Sequence, residues 1–365
     1  TPNVDHNFAY TFDYSKKSII AYGNSHVYLN ENRLVIYNFS GQEKAIWKRK
    51  QMDGYSLEYA DFLDSKRLIL ITRNRNTFKL VVSDLAGSFL SEENLDIRCG
   101  AHDNNDRLLR VERVDKTSLI IQCPRGTTDI AKIDPNGSLV SLKRINDFIY
   151  EIGTDKIITF AGSSLIAGQQ VWDIQDIDFD GNWQRRMSLF SPIDPRRGSR
   201  LRLVQSTSSG FATWVNTRTD THSMPSLVLF DGGGLPLMHK NYVRVRPIVS
   251  GSGEFIVAGE ESHAHLSVYD PFGRHICNIL NENRFVHAGQ VAVADSQLLE
   301  IRRYYVDPND LSSEKHVLRL SDLKTCQELQ SQTFDQAVGV PQVMNGKFFL
   351  PIWSQPEKQL KIFEL

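Results

Sequence analysis

The residues best suited to chemistry are histidines in polar stretches between predicted strands. They are His102, His222, His263, His265 and His287. A neutral imidazole near physiological pH can bind a metal or act as a general base. His263 and His265 are separated by one residue, and alternate residues of an extended segment point to the same side. This pair is therefore the candidate metal site, and all five are candidate catalytic residues. The alternative is that they are ordinary polar loop residues.

A second group consists of arginines in two neighbouring repeats. Arg196, Arg197, Arg200 and Arg202 are close together in the sequence, and Arg244 and Arg246 open the inner strand of the next unit. Guanidinium groups bind carboxylate, phosphate or sulfate through paired hydrogen bonds, so several on one concave surface favour an anionic ligand. The alternative is pairing with nearby acids such as Asp194. These arginines are predicted to bind the ligand.

Known sequence motifs for cofactor and nucleophile chemistry do not occur in the chain. There is no phosphate-binding GxxxxGK[ST] or GxGxxG pattern and no GxSxG nucleophile turn. The acidic residues around Asp178 do not follow the order of a calcium-binding EF-hand loop. No cofactor is therefore implied, and the sequence leaves open whether the protein is an enzyme.

Composition restricts the classes of partner. The chain has 365 residues, with 42 basic and 43 acidic side chains and a formal net charge of −1. This balance gives no general attraction to nucleic acid, so no nucleic-acid partner is expected. No apolar run is long enough to span a bilayer, and no signal peptide is visible at the polar start. Membrane insertion is not expected, and the compartment stays open.

The cysteines are too few and too scattered for a disulfide framework or a zinc cluster. They are Cys99, Cys123, Cys277 and Cys326. We expect them to be small, buried or half-buried apolar residues.

The strands that must position these residues are predicted from a phrase that repeats along the sequence. An apolar strand runs into Asp or Asn, two residues follow, then usually Gly, and a second strand begins. The phrase starts at Asn38, Asp84, Asp134, Asp178, Asp231, Asp270 and, in degenerate form, Asp322. Asp and Asn bond the turn backbone and Gly accepts the positive φ of a tight hairpin, so each phrase predicts a hairpin. The hairpins recur every 39 to 53 residues.

Each repeat has three predicted strands before the turn and one after it, and no stretch has a convincing helical period. This is the four-stranded pattern of a propeller blade. The chain is therefore predicted to be all-β, a single closed β-propeller of antiparallel blades covering residues 1–365.

Eight blades are favoured, with seven as the alternative. The last unit, residues 335–365, supplies three strands and lacks the fourth. The N-terminal segment, residues 7–14, is predicted to complete it and close the ring, which would remove the exposed sheet edges. In a competing arrangement this segment is the first strand of the first blade.

The repeats resemble the β-propeller superfamily over the whole chain, and no member family is recognised. One unit, Arg33 to Gly41 followed by Trp47, resembles a quinoprotein repeat. The resemblance implies that the loops joining second to third strands, and fourth strands to the next blade, share one rim with the channel entrance.

The function favoured by the sequence is non-catalytic binding. A rigid ring would present one loop-rich face to a protein or an anionic small ligand. The alternative is a hydrolase or lyase with a histidine and carboxylate site, with or without a metal, at the channel mouth.

Overall fold

The computed structural model describes residues 9–364 with gaps. The gaps are 14–17, 26–30, 39–42, 49–55, 75–76, 98, 100–109, 124–126, 146–148, 154–155, 219–222, 244, 260–264, 281–289, 306–313, 335–336, 339–340, 345–346 and 355–358.

The described chain is built from strands, with one short 3-10 turn at Pro195–Arg197. The first sixteen strands are β1 Ala9–Asp13, β2 Ser18–Ser25, β3 Glu31–Asn38, β4 Glu43–Lys48, β5 Ser56–Phe62, β6 Arg67–Asn74, β7 Thr77–Asp84, β8 Phe89–Leu95, β9 Arg110–Arg113, β10 Ser118–Gln122, β11 Thr128–Ile133, β12 Leu139–Ile145, β13 Ile149–Ile152, β14 Ile157–Ile166, β15 Gln169–Ile177 and β16 Trp183–Phe190. The others are β17 Ser199–Ser206, β18 Gly210–Arg218, β19 Ser223–Asp231, β20 Pro236–Asn241, β21 Val245–Val249, β22 Ile256–Gly259, β23 His265–Tyr269, β24 His275–Leu280, β25 Gln290–Ala294, β26 Gln297–Tyr305, β27 Glu314–Asp322, β28 Glu328–Phe334, β29 Ala337–Val338, β30 Gln342–Met344, β31 Lys347–Ser354 and β32 Gln359–Glu364.

These strands form antiparallel sheets in chain order. Seven sheets each contain four consecutive strands, beginning with β1 to β4 and ending with β25 to β28. In the eighth, β29 and β30 both pair with one edge of β31, and β32 pairs with the other. The all-β class and the repeated four-stranded antiparallel sheets predicted from the sequence are therefore confirmed.

The N-terminal strand differs from the favoured prediction. β1 pairs with β2, with Asp13 opposite Ser18 and Phe12 opposite Ile19, so it is the first strand of the first sheet. Within the described residues β32 pairs only with β31. The segment 7–14 therefore follows the competing arrangement instead of completing the last unit. The physical reason is local, because a four-residue connection lets β1 and β2 form a hairpin at a small cost in loop entropy.

The core lies between the sheets. Clusters of buried apolar side chains join each sheet to the next along the chain, from the first sheet to the eighth. The fourth strands of the sheets carry mostly exposed or half-exposed side chains, as in β12 and β28. This gradient is expected when each sheet buries its two faces against its neighbours and leaves the fourth strand at the outer edge.

The predicted turns are confirmed at six of the seven phrases, and the first phrase lies partly outside the described residues. In each, a carboxylate oxygen of the leading Asp accepts backbone N–H bonds, for example from Asn136 and Ser138 to Asp134, both 2.8 Å. Five of the turns place Gly at positive φ, between 74° and 95°. In the degenerate seventh turn the residue at positive φ is Cys326, one position later than the glycines counted from the leading Asp, with a φ of 56°.

The cysteines correct a sequence prediction. Instead of being unpaired apolar residues, they form two disulfides, Cys99–Cys123 and Cys277–Cys326, whose Cα atoms are 5.4 and 5.9 Å apart. The first joins the end of the second sheet to the third sheet, and the second joins the sixth sheet to the seventh. Each disulfide therefore crosslinks two consecutive sheets.

No helix in the described part of the chain is long and apolar enough to cross a membrane.

Candidate ligand-binding site

The first strands of neighbouring sheets lie side by side. β1 contacts β5, β13 contacts β17, β17 contacts β21, and β21 contacts β25. The first strands therefore form the inner side of the arrangement, while the fourth strands lie outside.

Several first strands contain a β-bulge. The pairing register shifts at Tyr150 in β13, at Arg202 in β17, and at Arg246 and Pro247 in β21. A bulge places an extra residue in one strand and re-aims its side chain, and bulges are frequent beside functional sites. Two of the arginines selected from the sequence are thus bulge residues of consecutive sheets.

A cavity of about 200 Å³ lies between the fourth and fifth sheets. It is lined by Tyr150, Phe160, Ser163, Gln170, Trp172, Ser199, Arg200, Leu201 and Arg202. Four consecutive residues of β17 line it, although neighbouring residues of a regular strand point to opposite sides. The bulge at Arg202 explains this, because it interrupts the alternation at that point.

One wall of the cavity is aromatic. Trp172 is fully buried and packs edge-to-face on Phe230, with ring centroids 6.5 Å apart. Tyr150 and Phe160 form a second edge-to-face pair at 6.1 Å. The indole N–H of Trp172 is buried and has no acceptor among the described residues. A buried donor without an acceptor is costly to stability.

The other wall is cationic. Arg200 and Arg202 are exposed, and neither forms an ion pair with an acid in the described part of the chain. Burial raises the pKa of the Tyr150 hydroxyl well above its usual range, and the charges of the two guanidinium groups oppose this rise. Both charges are thus close enough to act on the Tyr150 side chain.

Hydrogen bonds beside the cavity connect the fourth sheet to the fifth. The Ser199 hydroxyl donates to the side-chain oxygen of Gln170, and the Gln170 amide donates to the Ser199 carbonyl oxygen at 3.2 Å. The Tyr150 hydroxyl makes a long hydrogen bond of 3.5 Å to the Leu201 carbonyl oxygen. These bonds fix β13 and β15 relative to β17.

Arg246 adds positive charge on the first strand of the sixth sheet. Burial and the charge of Arg110 both lower the pKa of Arg246. Arg110 lies on the third sheet and pairs with Glu112 at 3.3 Å. No acid in the described residues pairs with Arg246.

The other predicted arginines are placed differently. Arg196 forms a bidentate pair with Asp194, with a closest distance of 2.8 Å, and its side chain is 88% exposed. Its charge is therefore already balanced, as in the alternative considered from the sequence. Arg197 is exposed beside the same carboxylate. Arg244 lies outside the described residues.

The histidines are not brought together by anything the structure describes. His102, His222, His263 and His287 lie outside the described residues, and His265 is the first residue of β23. Within the described ranges no group of three His, Cys, Asp or Glu side chains could hold a metal. The catalytic and metal roles of these histidines stay predictions.

The aromatic wall was not predicted from the sequence. Tyr150 and Trp172 stand in apolar strand segments, where aromatic residues are usually core residues. The one available signal is Gly162, which follows Phe160 at another register shift and marks a bulge in β14.

No family model and no curated protein sequence matches the chain. Solved structures match it along most of its length. The WD40 domain of SCAP from fission yeast is 11% identical, with 98% of this chain and 91% of that chain covered and a TM-score of 0.50. Sqt1 from Saccharomyces cerevisiae is 10% identical over 96% of this chain and 93% of that chain, with a TM-score of 0.48. Hsv2 from Kluyveromyces lactis is 11% identical over 98% and 96%, with a TM-score of 0.42.

At these identities the likeness concerns the fold alone, and the resemblance of one unit to quinoproteins gains no support from it. Together with the repeated four-stranded sheets, the match to the SCAP domain gives this chain a β-propeller fold.

Proposed function

We propose that this chain is a non-catalytic binding propeller that holds an anionic group at Arg200 and Arg202. The observation that carries the proposal is that both guanidinium groups line one cavity and lack an acidic partner in the described residues. Unpaired arginines on a concave surface favour carboxylate, phosphate or sulfate, which can accept paired hydrogen bonds. Arg246, exposed on the next sheet, adds to the positive potential of this face.

The ligand is a small acid or an acidic group on a protein. The rim loops around the cavity, including the connection that contains Arg196 and Arg197, are held by strands on both sides. A rigid scaffold of this kind suits recognition, because little ordering is needed on binding.

The scaffold for this face is a single domain, residues 1–365, whose sheets form a closed ring of eight blades. Support comes from the eight sheets and from the buried clusters that join each sheet to the next. The first sheet has its own four strands, so the ring closes by packing of the first sheet on the last without a shared blade.

Calorimetric titration with inorganic phosphate tests the anion site. We expect saturable binding to the unsubstituted protein, and about tenfold weaker binding for Arg200→Ala and for Arg202→Ala. Loss of one charge-assisted hydrogen bond costs about 1.5 kcal/mol or more, which corresponds to about tenfold in affinity.

Arg196→Ala is the matched control, because this exposed arginine is already paired with Asp194. Its affinity for phosphate should equal that of the unsubstituted protein. The proposal fails if phosphate shows no saturable binding, or if all three variants bind it equally well.

A further inference from the structure

We infer that the cavity between the fourth and fifth sheets binds a single planar ring that carries an acidic group. The acidic half of this ligand rests on the proposed function, and the ring is a new element. The ring would lie against the aromatic wall, with its acid directed to Arg200 and Arg202.

The size of the cavity sets the size of the ring. Its volume is about 200 Å³. An apolar cavity of about 150 Å³ is known to accept benzene, so this one has space for one six-membered ring and a substituent. A much larger fused ring system would need the walls to move.

The chemistry of the walls selects a planar apolar ring. Tyr150, Phe160 and Trp172 present aromatic surface, and Leu201 adds a buried aliphatic side chain. Aromatic side chains favour edge-to-face or offset contacts with another ring beyond what area burial alone provides. A flexible aliphatic acid would lose more conformational entropy in the same space.

The cavity has a buried end and an open end. Trp172, which is fully buried, lies at the buried end. At the open end are Ser163, Arg200 and Arg202, all exposed. A ligand with an apolar ring and an acid at one side matches this order of groups.

The test compares ligands that contain one half or both halves of the inferred ligand. Phenyl phosphate and benzoate carry both, inorganic phosphate and acetate carry only the acid, and benzyl alcohol carries the ring without a charge. By calorimetry, at least one of the first two should bind ten or more times tighter than its ring-free acid and than benzyl alcohol. Which of the two gains more identifies phosphate or carboxylate as the preferred acid.

A blocking variant locates the ring. Ser163→Phe places a phenyl group at the mouth of the cavity and should abolish the gain from the ring. Ser164→Phe is the matched control, because Ser164 is exposed on the same hairpin and does not line the cavity. It should keep the gain.

The outcomes separate the two proposals. If inorganic phosphate binds through Arg202 and the ring adds no affinity, the ring site is wrong and the anion site stands. If benzyl alcohol binds as tightly as phenyl phosphate, or Ser163→Phe leaves the gain intact, the inferred site is also wrong. If no acid binds at all, both proposals fail.

Discussion

Cys326 forms a disulfide with Cys277 at the place where other sheets bring a turn glycine against the sheet before them. Gly234 of the fifth sheet, for example, accepts a hydrogen bond of 2.9 Å from the Phe190 N–H of the fourth sheet. Gly273 of the sixth sheet packs on Met238 of the fifth. In the seventh sheet the corresponding residue is Cys326, and its contact with the preceding sheet is covalent.

Removing either disulfide should destabilise the protein strongly. The linked cysteines are 49 residues apart in Cys277–Cys326 and 24 apart in Cys99–Cys123. The loop-entropy relation gives about 4 and about 3.5 kcal/mol for these separations. Paired Cys→Ser variants should lower the free energy of unfolding by these amounts in urea denaturation.

Thiol titration of the denatured, unreduced protein checks that all four cysteines are paired, and it should find no free cysteine. Disulfides persist in oxidising compartments, so the protein should be prepared without reductant. Stability unchanged in both paired variants would contradict a structural role for the crosslinks.

A glycine at position 326 should recover part of the stability lost with the second disulfide. Cys326 has a φ of 56°, a conformation that costs a non-glycine residue about 1–2 kcal/mol. The variant Cys277→Ser with Cys326→Gly should therefore be about 1 kcal/mol more stable than Cys277→Ser with Cys326→Ser. Equal urea midpoints for the two variants would show that the backbone at this turn relaxes without the crosslink.

Gly234 is required for the contact between the fourth and fifth sheets. Its φ is 86°, and a Cβ added there would lie 2.0 Å from the Ser188 carbonyl oxygen. Gly234→Ala should cost at least about 2 kcal/mol of unfolding free energy, because backbone strain and the steric clash add.

Gly232→Ala in the same turn is the matched control for this change. A Cβ at Gly232 meets nothing closer than 3.7 Å, so its thermal unfolding midpoint should stay near that of the unsubstituted protein. If both alanine variants melt at the same temperature, the close approach at Gly234 does not constrain the sheets.

The turns could be predicted from sequence because their causes are local. An Asp that bonds the backbone two and four residues ahead, followed by Gly at positive φ, produces a hairpin whatever surrounds it. The pairing of β1 and the two disulfides depend on which distant segments meet. An extended segment at residues 7–14 fits a first or a fourth strand equally well, so its sequence alone could not decide between them.

The candidate site could be predicted only in part, because some of its features follow from residue type and others depend on how distant segments meet. Arg200 and Arg202 were predicted because arginines close together in a sequence favour an anionic ligand by residue type. Tyr150 and Trp172 were not, because a cavity arises from the separation of two sheets and from register shifts that the residue types do not mark. Arg196 forms the ion pair with Asp194 that the sequence left open as the alternative.

Glu151 makes stability depend on pH. Its carboxylate accepts hydrogen bonds from the N–H and the hydroxyl of Ser206, at 2.7 and 2.9 Å, across the contact between β13 and β17. Burial nevertheless raises its pKa above the ordinary value of 4.5, because the bonds from Ser206 and the charge of Lys156 do not offset the lost hydration. The folded state therefore holds this proton more tightly than the unfolded state.

With a raised pKa in the folded state, this group lowers the free energy of unfolding as pH rises from about 4.5 through the folded pKa. Glu151→Gln keeps an acceptor oxygen for Ser206 and removes the titration. Urea denaturation at several pH values should show the free energy of unfolding of Glu151→Gln rising relative to that of the unsubstituted protein as pH rises through this window. For the control Glu254→Gln, whose side chain is exposed, the difference from the unsubstituted protein should stay constant with pH. A difference that is constant with pH, or that shrinks as pH rises, would mean that the bonds from Ser206 outweigh the burial of Glu151.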